Sequence, residues 1–271
     1  MHLIVDGTDT FASTGGRDFD PALPAVVFLH GAGFDHSVWA LLARSFAYHG
    51  FAVLAPDLPG HGRSAGSPLS SIAAMADWTA ALIDAAGANT ARLVGHSMGS
   101  LVALETAARH PQKVSGLGLI AAAAAMPVSA NLLAAAKAGD HAAIDMVSIW
   151  GYGHRATLGG SPLPGLWMLG DGERLLERDR DGVLFNDLAA CNDYRDGPAA
   201  AAKVTAPCIL ILGSRDLMTP AKNGRALGAA IASSRLALIE GAGHMLMSER
   251  PDEVLAALRA AMAPGGVPLG G

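Results

Sequence analysis

The pentapeptide Gly95-His96-Ser97-Met98-Gly99 carries the first readable chemistry of this chain, directly after the run Ala91-Arg92-Leu93-Val94. A serine between two glycines at a strand-to-helix junction is the sequence form of a sharp turn that lifts its hydroxyl clear of a sheet. The flanking positions have to be small, because a side chain there would run into neighbouring backbone. The serine itself is expected in strained backbone. A helix beginning just after it aims free N–H groups at the same spot, where they can stabilise an oxyanion.

A serine hydroxyl is a weak nucleophile at neutral pH and needs a general base, which in turn needs an orienting acid. The sequence offers His244 as base, in Glu240-Gly241-Ala242-Gly243-His244. It follows the last apolar strand, and two glycines free the loop to fold over the sheet edge. Of the other histidines, His2, His49, His110 and His141 fall at the terminus or on helical stretches. His36 lies in the loop after the first buried strand, and His96 adjoins the serine, where a neighbour in such a turn points elsewhere. The acid is Asp216, in Gly213-Ser214-Arg215-Asp216, just past the strand at 208–212. One strand earlier the chain reads Ala121 to Ala125, with no carboxylate. Asp216 could also cap the helix after Pro220 or pair with Arg215.

Those three groups must be positioned by the elements around them. Short apolar runs at 3–5, 25–29, 51–55, 91–94, 114–120, 208–212 and 235–239 read as strands. Helical stretches at 38–48, 72–86, 98–110, 220–231 and 251–262 alternate with them. That rhythm implies an α/β fold with a doubly wound, mostly parallel sheet, whose reactive groups gather at the carboxyl ends of the strands. The segment 6–24 is expected to form a hairpin at the sheet edge. The rhythm breaks at Ala121. Helical pieces at 129–137, 140–150 and 173–179 follow, separated by Gly/Pro-rich stretches such as 159–165. The expected organisation is a core of residues 1–122 and 205–271 with a helical lid of 123–204 inserted. The Gly/Pro-rich tail 264–271 is expected to be loose.

The order Ser97, Asp216, His244 is joined by the loop His30-Gly31-Ala32-Gly33-Phe34 and the turn Asp57-Leu58-Pro59-Gly60-His61-Gly62-Arg63-Ser64. On these four motifs the chain resembles the α/β-hydrolase superfamily over nearly its whole length. The resemblance implies oxyanion donors at the N–H of Met98 and of Ala32, with Gly33 as the alternative to Ala32. Each such donor contributes about 3 kcal/mol to the transition state. His30 is expected to buttress that loop. Gly33, Phe34, His96, Trp150 and Trp167 are candidate substrate contacts, and Tyr152, His154 and Tyr194 are further lid aromatics that could line a pocket. Asp57 and His61 have no third ligand at useful spacing, so no metal and no cofactor is expected. The implied activity is a serine hydrolase that cleaves a small or medium carboxylic ester through an acyl-enzyme. Carbon–carbon bond hydrolases, lactonases and cofactor-free haloperoxidases share the same three groups, and a non-catalytic small-molecule receptor can retain them. Ser97 speaks against dehalogenases and epoxide hydrolases of this fold, which use an aspartate there.

Composition narrows the partners. At 271 residues with 51% hydrophobic content the chain is neither disordered nor short of core material. Charged residues are 16% and the formal net charge is −5, without a basic run, which excludes nucleic acid as the expected partner. The most apolar window, near 117–126, is too short for a membrane span. The first residues lack a basic, apolar leader pattern, so a cytoplasmic protein is expected. Cys191 and Cys208 are too few for a disulfide framework. The expected partner is a small ester-like molecule, and a homo-oligomer is compatible with the sequence.

Overall fold

Eight strands form one mixed sheet in the order β1-β2-β4-β3-β5-β6-β7-β8. They are β1 (His2–Val5), β2 (Thr8–Ser13), β3 (Ala25–Leu29), β4 (Ala52–Pro56), β5 (Ala91–His96), β6 (Val114–Ile120), β7 (Cys208–Gly213) and β8 (Ser234–Ile239). The computed structural model describes residues 1–160 and 167–262. β3 to β8 run parallel, while β1 and β2 form the expected antiparallel edge hairpin. Its turn is Asp6-Gly7, both residues at positive φ, as a two-residue hairpin loop matched to strand twist requires.

Every residue of β3, β4 and β7 is buried, because helices cover both faces of a parallel sheet. Successive residues of β3 therefore feed two different clusters. Val27 and Leu29 pack with Leu82 and Leu101 on one face, and Val26 and Phe28 with Trp39, Phe46 and Leu258 on the other. The first helices are α1 (Ala40–Ala47), α2 (Ile72–Ala85) and α3 (Met98–Arg109). Between β6 and β7 come α4 (Ala130–Ala138), α5 (Ala142–Gly151), α6 (His154–Thr157), α7 (Met168–Glu177), α8 (Val183–Asp193) and α9 (Gly197–Lys203). The chain then continues with α10 (Ala221–Ala230), α11 (Leu246–Glu249) and α12 (Pro251–Met262).

Three expectations shift. The helix read at 38–48 divides into a 3₁₀ turn, His36–Trp39, and α1, because Asp35 caps the turn by accepting the Ser37 N–H at 2.8 Å. The piece at 173–179 is the second half of α7. α9 falls inside the segment 123–204, yet it belongs to the sheet-covering layer: Ala200 and Ala201 share the cluster that holds Leu101 of α3. A Cβ on Gly197 would stand 1.8 Å from the Ala124 carbonyl oxygen, so α9 starts hard against the chain leaving β6. The expected loose tail, 264–271, and most of the 159–165 stretch lie outside the described residues. Among the described residues no helix is long and apolar enough to cross a membrane.

Candidate active site

β5 ends in the sharp turn that its sequence requires. Ser97 sits at φ 52° and ψ −119°, strained for any residue but glycine. A Cβ on Gly95 would lie 2.0 Å from the Gly99 carbonyl oxygen, and one on Gly99 would lie 2.2 Å from that of Leu29. Both glycines are thus needed for backbone to approach backbone. The Ser97 N–H donates to the Ile120 carbonyl at 3.0 Å, which ties the turn to β6. Ser97 remains partly open while His96 and Met98 are buried.

His244 and Asp216 meet from the loops after β8 and β7. His244 Nδ1 donates to Asp216 Oδ2 at 2.9 Å, and both side chains are buried. Thr219 Oγ1 stands 2.8 Å from the same oxygen, 3.0 Å from the Ala121 carbonyl and 3.2 Å from His244 Nδ1. The other oxygen, Oδ1, accepts the N–H groups of Met218 (2.9 Å) and Thr219 (2.8 Å). One carboxylate oxygen thus faces His244 and the other closes the turn through Met218 and Thr219, while the helix after Pro220 carries no side-chain cap. Burial would raise the Asp216 carboxyl, but the facing His244 and the Thr219 donors outweigh it and hold the group below 3.8. The His244 ring bonds through Nδ1, and no hydrogen bond joins its Nε2 to Ser97 Oγ in this conformation. Both side chains line one cavity. Such contacts commonly tighten when substrate binds.

The two oxyanion candidates separate cleanly. The Gly33 N–H is already committed, donating to Asp187 Oδ2 at 3.0 Å. Ala32 lines the cavity beside Ser97 and keeps its N–H free among the described residues, as does Met98 at the first position of α3. The expected buttress is present: His30 Nδ1 donates to the Gly31 carbonyl at 2.9 Å and Nε2 accepts the Leu58 N–H at 3.1 Å. Burial lowers the His30 imidazole to about 4, consistent with this neutral form.

Of the expected substrate contacts, Phe34, His96 and Trp150 line the cavity, as does Tyr152. The rest do not. Gly33 is turned to Asp187. Trp167 is 57% exposed, with its indole folded over Gly170, where it caps the start of α7. His154 is exposed on α6, and the Tyr194 hydroxyl donates to Glu105 Oε2 at 2.7 Å in the layer around α3. An aromatic in an inserted helix has several faces it can bury against, so residue type alone cannot assign it. His96 has a bracing contact besides: its Nε2 donates to the His244 carbonyl at 3.0 Å, and the two rings lie 4.8 Å apart. Burial lowers it to about 3, so the ring is neutral.

Thr219, Asp187 and Glu249 were not legible beforehand. Glu249 accepts the Gly243 N–H at 3.0 Å and the Gly153 N–H at 3.1 Å. The N–H groups of His244 and Met245 both donate to the Gly151 carbonyl at 2.9 Å. The base loop is thus stitched to the link between α5 and α6. No spacing rule connects Glu249 or Asp187 to its partners. Thr219 did have a signal, lying three residues after Asp216, where its N–H and hydroxyl can return to that carboxylate in a turn.

The cavity measures about 210 Å³ and is walled by Met126, Leu132, Val147, Trp150, Leu184 and Leu188 among others. Its lining contains no Lys, Arg, Asp or Glu among the described residues. Asp57 and His61 do not face one another. Asp57 accepts from His36 Nδ1 (2.7 Å) and from the backbone of His36 and Arg63, and His61 turns to Asp187. Asp35, His36 and Asp57 each place one ligand atom within 4.8 Å of the others. Those N–H donors already account for the Asp57 carboxylate.

Residues 26–257 match the model of a family described as the alpha/beta hydrolase family. Among curated proteins, a pimeloyl-[acyl-carrier protein] methyl ester esterase of Neisseria meningitidis serogroup B is 32% identical, over 84% of this chain and 88% of that protein. A protein of the same name from Chromobacterium violaceum is 30% identical, over 82% of this chain and 87% of its own length. Among solved structures, the enol-lactonase from Burkholderia xenovorans superposes with a TM-score of 0.83 at 25% identity, covering 94% of this chain and 96% of that one.

Proposed function

This chain belongs to the alpha/beta hydrolase family, and from that premise we propose that it is a serine hydrolase cleaving a carboxylic ester through an acyl-enzyme on Ser97. The observation that carries this reading is the 2.9 Å contact from His244 to the buried Asp216, with His244 and Ser97 lining one cavity. In the first half-reaction His244 Nε2 takes the Ser97 proton as Oγ attacks the ester carbonyl. Asp216 holds the ring in the required tautomer and stabilises the imidazolium. The negative oxygen is received by the N–H groups of Met98 and Ala32. His244 then protonates the departing alcohol. In the second half-reaction it activates water, which releases the acid and restores Ser97.

The apolar, uncharged lining favours a neutral acyl group of small or medium size. Among the described residues that lining holds no Lys or Arg to pair a substrate carboxylate or phosphate. Helices α4, α5, α7 and α8 contribute to the cavity wall and are proposed to act as the lid that selects the acyl chain. The similarity to an enol-lactonase supports a second substrate form, a cyclic ester opened by the same machinery. A panel of p-nitrophenyl esters, methyl esters and lactones tests the reading. Turnover by the wild type, its loss in Ser97→Ala, and a fluorophosphonate adduct found on Ser97 by mass spectrometry are the expected results. An adduct on Ser64 or Ser100, or full activity in Ser97→Ala, would overturn it.

A further inference from the structure

A buried ion pair links the inserted helices to the oxyanion loop. Asp187 of α8 and His61 of the turn after β4 have fully buried side chains, and His61 Nε2 donates to Asp187 Oδ2 at 2.8 Å. The other ring nitrogen, Nδ1, stands 3.1 Å from the Pro59 carbonyl. With an acceptor opposite each nitrogen, both must carry protons, so the ring is an imidazolium. Its partners raise it to about 9 although burial alone would lower it.

The same Asp187 oxygen accepts the Gly33 N–H at 3.0 Å. Gly33 is at φ 69°, and a Cβ there would meet Leu184 at 2.9 Å and Leu176 at 3.0 Å. The loop is thus pressed against α7 and α8 as well as bonded to them. The start of α8 is itself fastened to the core, with Asn186 Nδ2 donating to the Leu69 carbonyl at 2.9 Å and Arg180 to that of Ser64 at 2.8 Å.

We propose that Asp187 is a positioning residue for the oxyanion hole: by taking the Gly33 and His61 N–H groups on one oxygen, it fixes the loop in the turn that leaves the Ala32 N–H free for the carbonyl oxygen of a substrate on Ser97. The proposal rests on the serine-hydrolase reading. A buried ion pair is weak evidence for a stabilising role, because desolvation offsets much of its attraction. What this pair does secure is a geometry. Without Asp187 the Gly33 N–H would be a second, competing donor, and the loop could turn to offer either one. An oxyanion hole works only when its donors are preorganised, so that freedom would lower the rate of the chemical step while leaving substrate binding little changed.

The test uses the full chain, with p-nitrophenyl butyrate as substrate and a trifluoromethyl ketone as oxyanion-forming inhibitor. Asp187→Ala is expected to lower kcat by roughly 30-fold with KM within about 2-fold, and to weaken the ketone by a similar factor. Asp187→Asn keeps an acceptor oxygen for both N–H groups and is expected to retain kcat within about 3-fold. Should Asp187→Ala prove insoluble, Asp187→Leu, which keeps the branched heavy-atom skeleton but no acceptor, carries the same expectation. Equal losses in the Ala and Asn variants, a rise in KM at unchanged kcat, or a folded Ala variant with wild-type kcat would each overturn the proposal. A wild type inactive on esters, with Ser97 unlabelled by fluorophosphonate, would bring down the functional reading and this inference with it. Loss confined to the Asp187 variants bears on the inference alone.

Discussion

The elbow at the end of β5 and the helices inserted between β6 and β7 face each other across one cavity, yet they are held by different physics. At the elbow, backbone is packed on backbone: the nearest atoms to a Cβ on Gly95 or Gly99 are backbone atoms at 2.0–2.2 Å. Apart from the Gly151 carbonyl, which takes the His244 and Met245 N–H groups, the inserted segment meets the neighbouring loops through side chains, with Asp187 on Gly33 and His61, Arg180 on Ser64, and Glu249 of α11 on Gly153. It also leaves Ile149, Leu158 and Trp167 more than half exposed. A wall built of side chains can be changed without disturbing the nucleophile. That separation lets one set of reacting groups serve many substrates.

The largest effect expected on the elbow side is chemical. Ser97→Ala should lower kcat by about four orders of magnitude or more while the far-ultraviolet circular dichroism is unchanged. Next comes a stability contrast between the two regions. Gly95→Ala should destabilise by about 3 kcal/mol, because no nearby side chain can yield. That would lower the melting temperature by roughly 8 °C. Gly139→Ala, at the end of α4, meets nothing within 4 Å and carries only the cost of its positive φ, about 1 kcal/mol. Similar losses at the two sites would erase the distinction between backbone and side-chain support.

On the side of the inserted helices, Trp150→Ala should alter the kcat/KM ratio between long and short acyl esters by about 10-fold. Trp167→Ala should leave that ratio unchanged, since its ring lies outside the cavity. A reversal of the two would place the acyl chain elsewhere.

The smallest effect is a pH dependence of stability. The folded imidazole of His61, facing Asp187, Asp179 and the neutral His30, is raised above its unfolded value of 6.5 to about 9. Its contribution is therefore complete below pH 6.5 and is lost as pH rises through 9. Burial pushes Asp179 up to about 7, so its ionisation overlaps the lower part of that window and adds its own loss of stability there. The melting temperature should fall more steeply between pH 7 and 9 in the wild type than in His61→Gln, where Asp179 and, toward pH 9, the buried Cys191 and Cys208 thiols leave a shallower slope. The same slope in both would mean that His61 is not held charged beside Asp187.

The legibility of the sequence follows the same division. Ser97, Asp216 and His244 could be found because each sits at the carboxyl end of a strand whose apolar run is visible, and the two elbow glycines have no other reason to be four residues apart. Met98 followed from its place beside Ser97, whereas the loop motif left Ala32 and Gly33 both open. The inserted helices gave far less. Trp150 and Trp167 are one residue type in one segment, and one lines the cavity while the other folds over Gly170. α9 reads as one more Ala-rich piece of the insertion, and only its packing on α3 assigns it to the core.

Local chemistry by itself determined the strand rhythm, the parallel sheet, the sharp turn at Ser97 and the order of the three reacting groups, because each depends on residues near in sequence and on backbone sterics. Tertiary structure alone decided which N–H of the oxyanion loop stays free, which aromatics face the cavity, and that Asp187 reaches across 154 residues to Gly33. Those outcomes depend on where distant side chains meet, and no spacing along the chain encodes the angle at which a helix crosses a sheet edge.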